Sequence, residues 1–271
     1  MHPACVGFPF LKEDENQMLA FRMWLLASLV LAVAFGATGT VGSAANVSFS
    51  PSRLTLSARA RNASVTLKNG GDAPVRFEVR AFRWDQDTSG QMKLIATDEL
   101  VVFPLLVTIP PGQTKVIRVA DASPPSSVER SFRLKISEIP EFRGPGASGT
   151  TTITLKSEFD LPLFYLPVEE RVVGAIADAG VSRGKLSFSV TNTGTVHFKP
   201  EDIQIVGFGA GGKQVYAQTL DAWYVLAGGR RLYSLELPPA ACTSLAAVKI
   251  TVGTDIPIKE MIEVPPNACR A

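Results

Sequence analysis

Residues 63–81 read ASVTLKNGGDAPVRFEVRA, and their pattern decides the fold. Ala63, Val65 and Leu67 alternate with polar residues up to Asn69-Gly70-Gly71-Asp72, and Val75, Phe77, Val79 and Ala81 alternate again beyond it. A period of two places one face of a strand in a core, whereas a helix repeats its apolar residues every three or four positions. The stretch therefore predicts two strands joined by a turn as a hairpin.

The same pattern spreads in both directions. Upstream, Val47 and Phe49 begin a run that Pro51 interrupts before Leu54 and Leu56 resume it, a break expected where a strand bulges or changes partners. Downstream lie an apolar run over 100–107 and a tight reversal at Pro110-Pro111-Gly112, followed by Val116, Ile117 and Val119. Phe132, Leu134 and Ile136 then alternate with Arg133 and Lys135, and Ile153, Leu155, Phe159, Leu161 and Leu163 make the longest candidate strand of this half. Leu186, Phe188 and Val190, and later Val248, Ile250 and Val252, repeat the pattern in a second unit. Short strands with turns at this spacing predict an all-β protein of two immunoglobulin-like β-sandwich domains, over 45–166 and 167–271.

The first 44 residues read differently. Residues 24–35 are nearly all apolar, follow Arg22, and run into Val41-Gly42-Ser43-Ala44-Ala45, the order of charge, apolar core and small residues in a secretory signal peptide. The apolar run is well short of the roughly 20 residues a membrane-spanning helix needs, although an uncleaved anchor is the alternative. Residues 1–44 are thus expected to be a leader, with Met18 or Met23 as alternative starts of translation. Export would place the chain in an oxidising compartment, with Cys5 removed and Cys242 and Cys269 left as an even pair. We expect these two to form a disulfide; two buried free thiols are the alternative, because the sequence carries no distance between them.

Of the 271 residues, 46% are hydrophobic and 19% charged, which describes a globular chain with a core rather than a disordered one. A formal charge of +2 with no basic run interleaved with aromatics argues against a nucleic-acid partner. Nothing points to an enzyme, a cofactor or a small-molecule substrate. His197 is the one histidine beyond the leader, no Gly-x-Ser-x-Gly elbow accompanies it, and the cysteines lack zinc-ligand spacing. We read His197 as a partly buried strand residue, and the glycines of 207–212 as a hairpin turn, since no Lys-Ser/Thr follows them as a phosphate loop requires.

Taken in order, several stretches resemble the periplasmic chaperones of the chaperone–usher pathway, in a divergent, archaic-like form. They are Phe49-Ser50-Pro51-Ser52-Arg53, Ile109-Pro110-Pro111-Gly112-Gln113, Phe132-Arg133-Leu134-Lys135-Ile136 with Glu138-Ile139-Pro140, Leu163-Phe164-Tyr165, and Val190-Thr191-Asn192-Thr193-Gly194. The resemblance implies two immunoglobulin-like domains set at an angle and a periplasmic location. It also implies that the chain folds pilus or fibre subunits, caps them with a β-strand of its own and delivers them to an outer-membrane usher. The donor side chains would be Ile153, Leu155 and, if the register shifts past Ser157, Phe159.

Members of the family also anchor the subunit's terminal carboxylate with two basic residues. Arg53 matches the first, but Pro162 stands where the second, a lysine, is expected, so Arg133 and Lys135 are the candidate substitutes. When free, such a chaperone is expected to be able to self-associate to cover its apolar strand. The rival reading is an exported immunoglobulin-like adhesin or structural fibre component.

Overall fold

A computed structural model describes residues 46–121, 123–124, 126–140 and 155–270. The first sandwich comprises β1 (Val47–Ser50), β2 (Leu54–Leu56), β3 (Asn62–Asn69), β4 (Val75–Gln86), β5 (Met92–Ala96), β6 (Leu100–Phe103), β7 (Leu106–Ile109), β8 (Thr114–Asp121), β9 (Arg130–Glu138) and β10 (Glu158–Tyr165). One sheet runs β1-β3-β8-β6; the other runs β2-β10-β9-β4, with β5 and β7 both paired to β4. Leu67, Phe77, Ile117, Phe132, Leu134 and Leu163 from the two sheets are fully buried between them. At about 1.5–3 kcal/mol for each large apolar side chain removed from water, this layer dominates the stability of the domain.

The expected hairpin across 63–81 does not form. Strand β3 pairs with β1 and β8, while β4 pairs with β5, β7 and β9, so the turn between them crosses from one sheet to the other. Its geometry is set by the fully buried Asn69, whose amide donates to the carbonyls of Ala73 (2.7 Å) and Ile109 (3.0 Å) and whose side-chain oxygen accepts from the Gly71 N–H (2.9 Å). Alternation reports which face is buried but not which sheet a strand joins. The break at Pro51 does mark a change of partners, since β1 pairs with β3 in one sheet and β2 runs parallel to β10 in the other. At the Pro110-Pro111-Gly112 reversal, Gly112 adopts φ +68°, a conformation a side chain would strain, and the Gln113 N–H donates to the Pro110 carbonyl at 3.1 Å.

The second sandwich comprises β11 (Gly174–Ser182), β12 (Lys185–Asn192), β13 (Asp202–Phe208), β14 (Gln214–Asp221), β15 (Arg230–Glu236), β16 (Ala247–Val252) and β17 (Ile258–Glu263). Its sheets run β11-β12-β15 and β14-β13-β16-β17 around Phe188, Ile203, Ile205, Val248 and Ile250. Gly209, Gly211 and Gly212 make the β13–β14 turn, while Gly207 lies within β13 opposite Tyr216. The structure joins Cys242 to Cys269 in a disulfide with a Cα–Cα distance of 5.7 Å, next to this core. Asn192 repeats the device of Asn69: its amide donates to the carbonyls of Val196 (2.9 Å) and Val225 (3.0 Å), and its oxygen accepts from the Gly194 N–H (2.9 Å). The two domains thus share a structural kinship their sequences barely display.

Candidate functional site

The site is built on the outer face of the β4-β9-β10 sheet. Along β9, Phe132, Leu134 and Ile136 enter the core, so Ser131, Arg133, Lys135 and Ser137 take the opposite face. Antiparallel register sets the rows across this face: Phe82, Arg133 and Pro162 form one, and Arg80, Lys135 and Asp160 the next. Residues opposite each other in such a ladder share a face. The proline that replaces the expected lysine therefore lies directly beside Arg133. On its other side, β2 pairs Leu54 with Leu163, and Arg53 immediately precedes Leu54. Arg53 and Arg133 thus reach the neighbourhood of Pro162 from the two strands that flank β10.

Arg133 is 5% exposed, contrary to the solvated position its alternation with core residues suggests. Its guanidinium carbon lies 3.8 Å from the centre of the Trp84 ring, and Tyr224 and Trp223 of the second domain approach at 5.8 and 6.0 Å. Nη1 meets Asp160 Oδ1 at 3.7 Å, a long contact, and Nε and Nη2 are buried with no hydrogen-bond partner among the described residues. Burial pushes the guanidinium below its usual range, and the nearby Asp160 and Tyr224 oppose that shift. An arginine remains charged regardless, so this is a buried cation with free donors.

Lys135 is differently placed. Its Nζ donates to Glu158 Oε1 at 2.9 Å near the surface, and Ser137 Oγ donates to the other oxygen of Glu158 at 3.0 Å. The hydrogen bond to Glu158 raises the Lys135 pKa, and the same bond with that of Ser137 lowers the carboxyl of Glu158. Lys135 already has its anion. Arg53 is exposed and makes no ion pair among the described residues.

The candidate donor side chains separate as well. Ile153 lies outside the described residues. Leu155 is 56% exposed and precedes β10, which starts at Glu158, later than the apolar pattern from Ile153 suggests. Phe159, expected to join the inserted residues, packs instead against the core of its own domain, with its ring 5.0 Å from Phe49 and 5.9 Å from Phe77. It pairs with Ile136, a core residue, and shares its face, which is the physical reason for the correction. Strand β10 pairs with β9 over its whole length but with β2 only over Leu163–Tyr165. Among the described residues, its stretch from Glu158 to Pro162 is an open sheet edge.

Sequence reasoning missed what the second domain brings to this face. Trp84 and Phe164 pack with Leu226, Tyr224, Leu94 and Leu166 in a cluster shared by both domains. Gln86 ties them further: its amide donates to the Tyr224 carbonyl at 2.7 Å, and its oxygen accepts from the Leu226 N–H at 2.9 Å. His197 stacks on Phe164 with ring centres 3.7 Å apart, and its Nδ1 lies 2.7 and 2.9 Å from the two oxygens of the buried Glu129. Lys199 lies 5.5 Å from the Tyr224 ring and 5.9 Å from that of Trp223. The one sequence signal was the adjacent aromatic pair Trp223-Tyr224, with Trp223 38% exposed in the structure.

Residues 46–170 match the family described as pili and flagellar-assembly chaperone, PapD N-terminal domain. No curated protein sequence matches the chain. Among solved structures, the CsuC–CsuE chaperone–tip adhesion subunit pre-assembly complex from archaic chaperone–usher Csu pili of Acinetobacter baumannii matches at 16% identity. The match covers 81% of this chain and 98% of that chain, with a TM-score of 0.54. The CupB2 chaperone of Pseudomonas aeruginosa matches at 15% identity over 80% of this chain and 100% of its own, with a TM-score of 0.51. The Salmonella enterica complex of the SafA pilin with the SafB chaperone matches at 16% identity over 82% and 99%, with a TM-score of 0.51. At these identities the structures establish the fold: two sandwiches in series. Residues 46–170 thus match the N-terminal domain of the pilus-assembly chaperones, and the described length of the chain follows the two-sandwich fold of these structures.

Proposed function

We propose that this protein is a periplasmic, non-enzymatic chaperone that caps pilus or surface-fibre subunits along the open edge of β10 and hands them to an outer-membrane usher. The observation that carries the reading is that open edge, from Glu158 to Pro162, lying beside a buried arginine with unsatisfied donors. A subunit that lacks a strand exposes its core and a row of unpaired backbone groups, and an added strand covers both. Leu155, exposed just before the edge, is assigned as an inserted side chain together with Ile153; burying each would contribute about 1.5–3 kcal/mol. Phe159 is assigned to hold the base of the donated segment in its own domain. Arg133 and Arg53, on either side of Pro162, are assigned as the carboxylate anchor, and Lys135, held by Glu158, as a supporting charge at most.

Co-expression with a strand-deficient pilus subunit tests the reading. The wild-type chain is expected to co-purify as a one-to-one complex, and the double variant Ile153→Asp, Leu155→Asp is expected to stay folded and lose the subunit. Retention of the subunit by that variant would sink the donor assignment.

A further inference from the structure

Strands at the edge of a sheet present a row of unpaired backbone groups, and proteins protect them with charge, proline, a bulge or a cover. The second domain has four such edges, and three are protected. Strand β17 carries Lys259, Glu260 and Glu263, and β11 carries Asp178 within a bulge between Ala177 and Gly180. Strand β15 carries Arg230 and Arg231, and its outer side is covered by the first domain, where the Leu232 N–H donates to the Ser89 carbonyl at 3.0 Å. Strand β14 has none of these along its length. Over 214–220 it holds no charge and no proline, and it pairs with β13 alone. Among the described residues its outer side meets nothing but the Gln218 side chain, whose amide donates to the Thr219 carbonyl at 3.2 Å, at the surface. Its one irregularity falls at Val215, passed over between the pairing of Gly207 with Tyr216 and that of Phe208 with Gln214, so 216–221 is a regular open edge.

We propose that β14 is a self-association edge, along which two copies of this chain pair antiparallel about a two-fold axis at Gln218. The side chains select that partner and that register. On the core-facing side, Tyr216 and Leu220 pack against the second hydrophobic core yet are half-buried, and Gln218 lies between them in the alternation. Opposed residues of a ladder share a face, so the axis must pass through a residue to keep the two cores on one side. With the axis at Gln218, Tyr216 of each copy faces Leu220 of the other, and both half-covered side chains gain an apolar neighbour. The two Gln218 amides meet, and each can donate to the other's oxygen in place of its bond to Thr219. Ala217 faces Thr219 on the outer side, and no like charges oppose each other. Moving the axis by one residue either way sets Gln218 against Tyr216 or Leu220 and loses the apolar pair. A charged strand would find no complement on this edge, whereas the edge complements itself. The pairing is short and belongs with small, reversible interfaces. It uses the second domain, whereas the open stretch of β10 lies in the first, so a paired particle carries two separate subunit edges.

The test uses the full chain, expressed with its leader, and follows its mass by sedimentation velocity over a concentration series. The wild type is expected to pass from monomer towards dimer as concentration rises. Gln218→Lys and Gln218→Glu each oppose like charges at the axis and are expected to weaken self-association about tenfold or more. An equal mixture of the two should restore it, because mixed pairs set Lys against Glu. Lys259→Glu on β17 should leave the wild-type behaviour unchanged. Gln218 is exposed, so its variants should unfold at the wild-type denaturant midpoint. A wild type that stays monomeric throughout, or single variants that associate as well as the wild type, overturns the proposal. A mixture no tighter than either variant alone overturns the axis at Gln218. Self-association that is lost in the Ile153→Asp, Leu155→Asp variant but kept in both Gln218 variants runs through the donor segment and overturns it as well. Both Gln218 variants should still capture a strand-deficient subunit on co-expression. Loss of capture would mean that β14 meets the subunit and not a second copy.

Discussion

Replacing Arg133 with methionine should separate binding from stability. A buried ion carries a desolvation cost of several kcal/mol, which a close, well-bonded counter-ion normally offsets. Here the offset is thin: a 3.7 Å approach to Asp160 and a stack on Trp84 worth about 0.5–2 kcal/mol. Methionine keeps the length of the aliphatic stem and offers Trp84 a sulfur contact of about 0.3–1.5 kcal/mol. Asp160, left behind, is 29% exposed in its side chain and can return to water. Arg133→Met is therefore expected to unfold within about 1 kcal/mol of the wild type, or at higher denaturant, where breaking a satisfied buried pair would cost about 3–5 kcal/mol.

Subunit binding should move the other way. Losing one or two charge-assisted hydrogen bonds, about 1.5–3 kcal/mol each, weakens the complex at least tenfold. Urea unfolding followed through tryptophan fluorescence gives the first quantity, provided the slope is unchanged, and competition for a fixed amount of subunit gives the second. A stability loss above about 3 kcal/mol with intact binding would make Arg133 a structural residue and refute the reasoning.

Three further outcomes are expected. Glu129→Gln, which removes the negative charge held against His197 between the domains, should cost about 1–3 kcal/mol in denaturant unfolding, and an unchanged midpoint would mean the contact is idle. Reducing the Cys242–Cys269 disulfide, whose sequence separation is 27, should lower the stability of the second domain by about 3–4 kcal/mol while leaving the first unaffected, as differential scanning calorimetry with and without reductant can show. The carboxyl of Glu158 is held low by Lys135 and Ser137, so its contribution is present above the ordinary carboxylate pKa and fades as pH falls through the folded value. Lys135, held high by Glu158, contributes below the ordinary lysine pKa and loses that contribution as pH rises through its own folded value. NMR titration should find Glu158 below the ordinary glutamate range, and Lys135→Met should raise it part of the way back, Ser137 still holding it down, with little change in stability at neutral pH, since exposed pairs contribute at most about 1 kcal/mol.

The sandwich architecture was legible because alternation exposes which residues need a core, and Phe132, Leu134 and Ile136 are all fully buried. The sheet assignment across 63–81 was not, because the same alternation serves a hairpin and a sheet-crossing turn, and the choice rests on the side chain of Asn69 reaching Ile109, 40 residues away. Phe159 was misjudged for a related reason: a run of apolar residues from 153 to 163 does not say where a strand leaves its own core. Arg133, Lys135 and Arg53 were singled out by position, yet their different surroundings were invisible. Lys135 is neutralised by Glu158 across a strand pair, and Arg133 is buried by Trp84 of its own domain together with Tyr224 of the other. Such facts depend on residues well separated in sequence: 23 positions for Lys135 and Glu158, and about 90 for Arg133 and Tyr224.

The substitution at Pro162 illustrates how a charge can move without leaving a site. A lysine on β10 and an arginine on β9 at paired positions of one ladder project from the same face, so a cation lost from one strand is recoverable from its neighbour a single strand spacing away, about 4.8 Å. The exchange alters the environment more than the location. A lysine's flexible stem can follow water, whereas Arg133 lies under Trp84 with its planar donors fixed. A fixed guanidinium loses less freedom when it binds and admits fewer orientations of a carboxylate. The expected consequence is a chaperone stricter about the register of the strand it lends. Restoring the family's arrangement with Pro162→Lys in an Arg133→Met background should recover subunit capture in part while tolerating subunits lengthened by one residue, which the wild type should reject. Equal rejection by both proteins would show that register is set elsewhere on β10.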